Sequence, residues 1–259
     1  MANHGLAVLE EALRARKLDR TLTTAMPPGQ GDEGVAQTAL AGLDTGLHGG
    51  LPRGQLSEIA GPRSSGRTTL LLQALAAATR RGEMAALVDP FDRLDLRSVV
   101  SAGVDRDRLL WIRGHGPVGA THASPLPEGL GAFVDRTIDR ALKALNLVLQ
   151  AGDFGVVALD LADAPLPALR RSPYTTWLRV QRTIEGSDTA CVLVGSQPLA
   201  RSAGGLTLSL AGCARWTGHD PRPSSGRRLA GLDVTVRVVS PRRRVDGEVI
   251  VAALASNSR

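Results

Sequence analysis

The sequence predicts an α/β protein: a mostly parallel, twisted sheet flanked by helices, preceded by an N-terminal helix and closed by a C-terminal β-hairpin. Three observations predict it. From Thr38 onward, short apolar runs alternate with helical segments. One strand-to-helix junction, Gly61 to Thr68, is bounded by glycines at the spacing of an anion-cradling loop. Near the end, the runs LDVTVRVV and EVIVAAL read as two strands joined across Pro241 to Gly247.

In the junction, Leu56 to Ala60 is a short apolar strand, Gly61 to Gly66 a loop, and Arg67 onward the start of a helix. The motif G-x-x-x-x-G-K-[ST] is met by Gly61, Pro62, Arg63, Ser64, Ser65, Gly66, Arg67 and Thr68, followed by Thr69, with arginine where lysine is usual. Glycines let backbone N–H groups curl round an anion, and the helix aims the positive end of its dipole at the same point. A triphosphate is the natural guest. Arg67 keeps the charge, but as a wide planar fork instead of a compact ammonium. The competing reading, a plain tight turn, accounts less well for strand, loop, helix and Thr68 together.

Composition narrows the class. The 259 residues have room for one substantial core, and 43% hydrophobic with 22% charged residues is ordinary for a soluble globular chain. The formal charge of +6 and isoelectric point near 10.5 point to an acidic partner, nucleic acid or an acidic protein surface. Lysine occurs only at Lys17 and Lys143 among 31 basic residues, so arginine at 67 follows the bias of the whole chain. Cys191 and Cys213 form no C-x-x-C pair and read as reduced thiols. No run has the length of a membrane span, and Glu10, Glu11 and Arg14 stand where a signal peptide is apolar, so a cytoplasmic protein is expected.

The remaining elements follow in order. Leu6, Leu9 and Leu13 give residues 5–18 an amphipathic helix, and Pro27, Pro28 and Gly29 to Gly34 break it like a linker. Residues 1–35 are therefore expected to be helix and linker, and 36–259 the core. After the loop come an alanine- and leucine-rich helix to Arg80, the strand MAALVD, the helical LDLRSVVSAG and the strand LLWIR, a βαβαβ series. Residues 114–131 read as a mobile loop, whose His115 and His122 lack partners at metal-ligand spacing. Val134, Ile138, Ala141, Leu145 and Val148 line one helix face, which feeds FGVVALD and its terminal Asp160. With a phosphate loop upstream, Asp160 and the Thr68 hydroxyl are candidate Mg²⁺ ligands. A helix over Tyr174 to Glu185, a strand over Thr189 to Gly195 ending in Ser196 and Gln197, and a strand near Leu206 to Trp216 complete the series. Arg222, Arg227, Arg228 and Arg242 to Arg244 read as solvated surface.

Taken together, TALAGLDTGLHGGLPRGQLSEIAGPRSSGRTT, AALVDPFDRLD, GVDRDRLLWIRG, FGVVALD, LVGSQ and GGLTLSLAGCARW resemble, in order, the RecA recombinase core over roughly residues 36–254. The resemblance implies a RecA-like P-loop NTPase core that binds ATP and Mg²⁺. It further implies that Asp160 serves the metal, that Gln197 senses the γ-phosphate, and that Asp95 approaches adenine. It also implies an N-terminal helix that docks on a neighbouring protomer, hence a homo-oligomer.

Departures from the pattern shift the expected activity. The family's water-activating glutamate falls at Phe91; Asp92, next to it, would point the other way on an extended segment. The adenine-stacking tyrosine falls at Ser98, and two basic residues that reach across the subunit interface fall at Ser240 and Arg242. Both DNA-contacting loops are short, and the family's C-terminal domain has no counterpart. The chain is in these respects similar to the small RecA-like accessory proteins of bacterial error-prone repair called ImuA. That likeness implies an ATP-binding factor with weak or absent hydrolysis. It would act in SOS mutagenesis and translesion synthesis, docking on RecA or a Y-family polymerase homologue of the ImuB kind. The alternatives are a DNA-dependent ATPase recombinase that binds single-stranded DNA, and a plain nucleic-acid binder using the surface arginines.

Overall fold

The computed structural model describes residues 34–114, 131–200, 205–216, 229–239 and 249–255. All lie in the second of the two units into which the chain divides, Asp32–Arg259. The expected helix at 5–18, His115, His122, Arg222, Arg227, Arg228, Ser240 and Arg242 to Arg244 fall outside the described residues.

The central sheet has eight strands. In chain order they are β3 (Gln55–Ala60), β4 (Met84–Asp89), β5 (Leu109–Arg113), β6 (Phe154–Asp160), β7 (Ala190–Gly195), β8 (Thr207–Trp216), β9 (Leu229–Val238) and β10 (Val249–Ala255). Across the sheet the order is β10-β9-β8-β3-β7-β6-β4-β5. The pairings from β8 through β3, β7, β6 and β4 to β5 are parallel. β8, β9 and β10 pair antiparallel, so the terminal hairpin extends the same sheet. A small second sheet joins β1 (Val35–Ala36) to β2 (Leu51–Pro52), around the short helix α1 (Ala41–Gly46), an arrangement not read from the sequence.

Alternation along each central strand divides the core in two, because successive side chains leave opposite faces. Ala85 and Leu87, Val156 and Ala158, and Val192 and Val194 join one apolar cluster. Their neighbours Ala86 and Val88, Val157 and Leu159, and Cys191 and Leu193 join the other. Both faces are therefore covered, which is why these strands are apolar throughout.

Helix α2 (Arg67–Arg80) covers the first face with Leu70, Leu71, Leu75 and Ala78. The second face is covered by α4 (Gly131–Ala151), through Ile138, Ala141 and Leu145, and by α6 (Tyr174–Ile184), through Trp177, Val180 and Ile184. Two shorter helices, α3 (Leu96–Ala102) and α5 (Leu166–Arg171), lie between strands in the chain. Among the described residues no helix is long and apolar enough to cross a membrane.

A carboxyl lies inside the sheet on the central strand β3. Glu58 on β3 is 3% exposed. Its Oε1 accepts from the Leu199 N–H at 2.6 Å and the Ala200 N–H at 2.7 Å, and Oε2 from the Thr207 hydroxyl at 3.3 Å. Burial pushes this carboxyl above its ordinary range, although the three hydrogen bonds favour the ionised form. The central strand thus grips the chain both where it has left β7 and where it enters β8.

Candidate functional site

The loop between β3 and α2 sits where backbone must approach backbone. A Cβ at Gly61 would fall 2.6 Å from the Leu210 carbonyl oxygen and 2.6 Å from Ser65 Oγ. Gly66 caps α2 at φ +92°, and a Cβ there would meet Val234 at 2.6 Å. Such a conformation is cheap only for glycine. On β8, a Cβ at Gly212 would collide with the Ser64 carbonyl oxygen. Strands β8 and β9 thus brace the loop from behind. Ser65 is 1% exposed, and its Oγ has no hydrogen-bond partner.

Arg67, the first residue of α2, is 8% exposed. Its Nη1 donates to the Gly195 carbonyl at 3.0 Å, which also accepts from the Gly61 N–H at 3.2 Å. One oxygen at the end of β7 therefore holds both the loop and its arginine. Burial lowers the affinity of this guanidinium for its proton, partly offset by the negative fields of Asp160 and Asp163.

A cavity of about 230 Å³ opens beside the loop. Its wall carries the arginines 63, 67 and 93, the aspartates 89, 160 and 163, and Thr68 and Phe91. Asp160 ends β6 and accepts from the Ala162 N–H at 2.9 Å. Burial pushes its carboxyl from 3.8 up to about 6, with Asp89 adding to the rise and the Ala162 N–H and Arg67 opposing it.

Asp89 ends β4 and is buried. Its oxygens accept from the N–H groups of Arg93 and Leu94, both at 2.9 Å, and from the Trp111 indole at 3.3 Å. Asp163 lies 3.5 Å from Arg63 and 3.2 Å from Arg93. The Thr68 hydroxyl and Asp160 suit a hard cation that takes one or two protein oxygens and completes its shell from phosphate and water. No cluster of His, Cys, Asp or Glu among the described residues would hold a metal without such help.

Phe91 is 3% exposed and packs in the second core cluster while lining the cavity. Asp92 does turn away from it, but for a reason other than strand alternation. It sits in a turn at φ +55°, and its carboxylate takes two bonds from Arg113, both 2.8 Å. A left-handed residue, not an extended segment, removes this acid from the cavity.

Of the loop candidates, Arg63, Ser64, Arg67 and Thr68 line the cavity, while Gly61, Pro62, Ser65, Gly66 and Thr69 do not, and Asp95 and Gln197 also lie outside its lining. Asp95 caps α3, accepting from the N–H groups of Arg97 and Ser98 and from the Ser98 hydroxyl at 2.7 Å. The Ser98 hydroxyl and N–H hold its carboxyl below the usual range. Gln197 is exposed, two residues beyond the end of β7. Conversely, Asp89, Arg93 and Asp163 line the cavity without having been singled out in the sequence. Asp89 had a legible signal, since MAALVD ends on a carboxylate just as FGVVALD does. Arg93 and Asp163 had none.

Fold and site define an α/β protein with a phosphate-type loop at the end of a parallel strand. The model of the RecA N-terminal domain matches residues 30–116. Protein RecA of Acidothermus cellulolyticus is 34% identical over 165 residues, 63% of this chain and 41% of that protein. Protein RecA of Synechococcus elongatus is 50% identical over 68 residues, 26% of this chain and 19% of that protein. The chain thus spans less than half the length of these curated relatives. The RadB recombinase structure resembles the fold with a TM-score of 0.53 at 18% identity, covering 84% of this chain and 94% of that one. Its mostly parallel sheet flanked by helices is the α/β fold of that structure.

Proposed function

We propose that this chain binds ATP with Mg²⁺ in the cavity beside the loop, turns it over weakly or not at all, and acts by docking on partners in the DNA-damage response. The observation that carries the reading is Phe91, a buried hydrocarbon on the cavity wall at the position of the expected general base. The nearest acids are engaged elsewhere, Asp89 by two backbone N–H groups and an indole, Asp92 by Arg113.

In this reading the loop N–H groups and the start of α2 bind the phosphates. Thr68 and Asp160 hold the cation, and Gln197 and Asp95 sense the γ-phosphate and meet the base. Mg²⁺, when bound, supplies charge neutralisation between phosphate oxygens. Names among the relatives, RecA and RadB recombinase, support a setting in DNA recombination and repair.

The finer assignment is an ImuA-type accessory role in SOS translesion synthesis, with RecA or a Y-family polymerase homologue as partner. It rests on Phe91, Arg67 and the abbreviated loops read from the sequence. The chain should bind ATP with Mg²⁺ at pH 7.5, where Asp160 is ionised, and the same sample should release phosphate slowly or not at all. Brisk release stimulated by single-stranded DNA would replace this reading with the recombinase ATPase. A pull-down that recovers neither RecA nor the polymerase homologue would remove the partner assignment.

A further inference from the structure

Three separate segments converge on the wall of the cavity. Arg63 comes from the loop, Arg93 from the turn after β4, and Asp163 from the chain leaving β6. The Arg93 side chain is only 11% exposed and its Nε lies 3.2 Å from Asp163, so its guanidinium is confined and not free-swinging. With Arg67 also buried on the same wall, two guanidiniums share a small desolvated space. Cations placed like that need an anionic partner.

Asp163 is one such partner in this structure, and a loose one. Its contacts of 3.5 and 3.2 Å exceed the roughly 2.7–2.9 Å of a charge-assisted hydrogen bond. It holds the arginines by charge, at distances a better acceptor would improve on. Phosphate is such an acceptor, since its oxygens match the guanidinium fork in pairs.

We infer that the Asp163 carboxylate is an internal stand-in for a phosphate group, and that Arg63 and Arg93 are polyphosphate ligands released to the guest when Asp163 gives way. This rests on the nucleotide reading of the cavity and adds two ligands and a built-in competitor to it. Neutralising the competitor should strengthen binding, and neutralising a ligand should weaken it.

The test is calorimetric titration of the full chain and its variants with ATP and with inorganic tripolyphosphate. Arg93→Gln should weaken both guests by roughly ten- to a hundredfold, the worth of a hydrogen bond to a charged group. Asp163→Asn should tighten both by roughly three- to tenfold, the scale of two partly exposed ion pairs. A gain of affinity cannot arise from misfolding, so the second variant guards the first. If ATP binds but either variant leaves affinity unchanged, or Asp163→Asn weakens it, the inference is overturned while the nucleotide reading stands. If tripolyphosphate binds with the expected pattern and ATP does not, the inference stands and the nucleotide reading falls. If neither guest binds, both fall.

Discussion

Phosphate release by a Phe91→Glu, Arg67→Lys double variant is expected to exceed that of the unmodified chain by roughly 10²- to 10⁴-fold, the usual contribution of a positioned general base. Phe91 lies on the cavity wall, so a carboxylate grown from that position faces the same space as Thr68 and Asp160. Lysine is included because Arg67 is tethered to the Gly195 carbonyl at 3.0 Å, and a single ammonium on a flexible stem can leave that oxygen for a phosphate more readily than a planar fork. Phe91 is also part of the core, so its loss costs stability and thermal unfolding must be followed alongside. Phe91→Gln with Arg67→Lys is the control, having similar shape and no base. An equal gain in both variants would show that the missing base is not what limits turnover, as would a folded, ATP-binding glutamate variant that stays silent.

The second large effect lies inside the sheet. Glu58→Ala is expected to lower the unfolding free energy by roughly 2–5 kcal/mol, because the N–H groups of Leu199 and Ala200 lose the carboxyl oxygen they share, at about 1–3 kcal/mol each. Glu58→Gln keeps an amide oxygen for them and should recover most of that loss.

The two forms also differ with pH. Burial raises the carboxyl in the folded chain, so the fold favours its protonated form. The group's contribution is complete below its ordinary value of 4.5 and is lost as pH rises through the higher folded value. The stability of Glu58→Gln relative to the unmodified chain should therefore increase as pH climbs from 4.5 through the folded value and level off beyond it, in urea titrations at, for example, about pH 4 and pH 8. No loss of stability in Glu58→Ala at either pH would show that the carboxyl holds nothing, and equal loss in both variants would show that an amide oxygen does not replace it. Since Leu199 and Ala200 directly follow Gln197 and Pro198, the alanine variant should also loosen the segment assigned to nucleotide sensing.

Much of this was readable along the chain because it is local. The unbroken apolar runs AALV, FGVVAL and ACVLVG mark strands with both faces covered, and the Val134–Val148 stripe marks a helix with one. Gly61 and Gly66 mark the loop because spacing alone encodes a turn of that shape. Asp160 could be placed on the side of Thr68 because one ends a parallel strand and the other begins the helix that follows another, so both lie at the C-terminal edge of the sheet.

What the sequence could not disclose depends on contacts between distant segments. β3 lies between β7 and β8, which sets Leu210 and Gly212 against the loop and lets Gly195 accept from Arg67. Asp92 escapes the cavity through one left-handed residue, Asp89 spends its oxygens on a turn, and Arg63, Arg93 and Asp163 meet only because three separate crossovers end at one edge. Element type follows from side-chain period, which is written residue by residue. The partners of a buried charge follow from strand order, which exists only after the sheet has assembled.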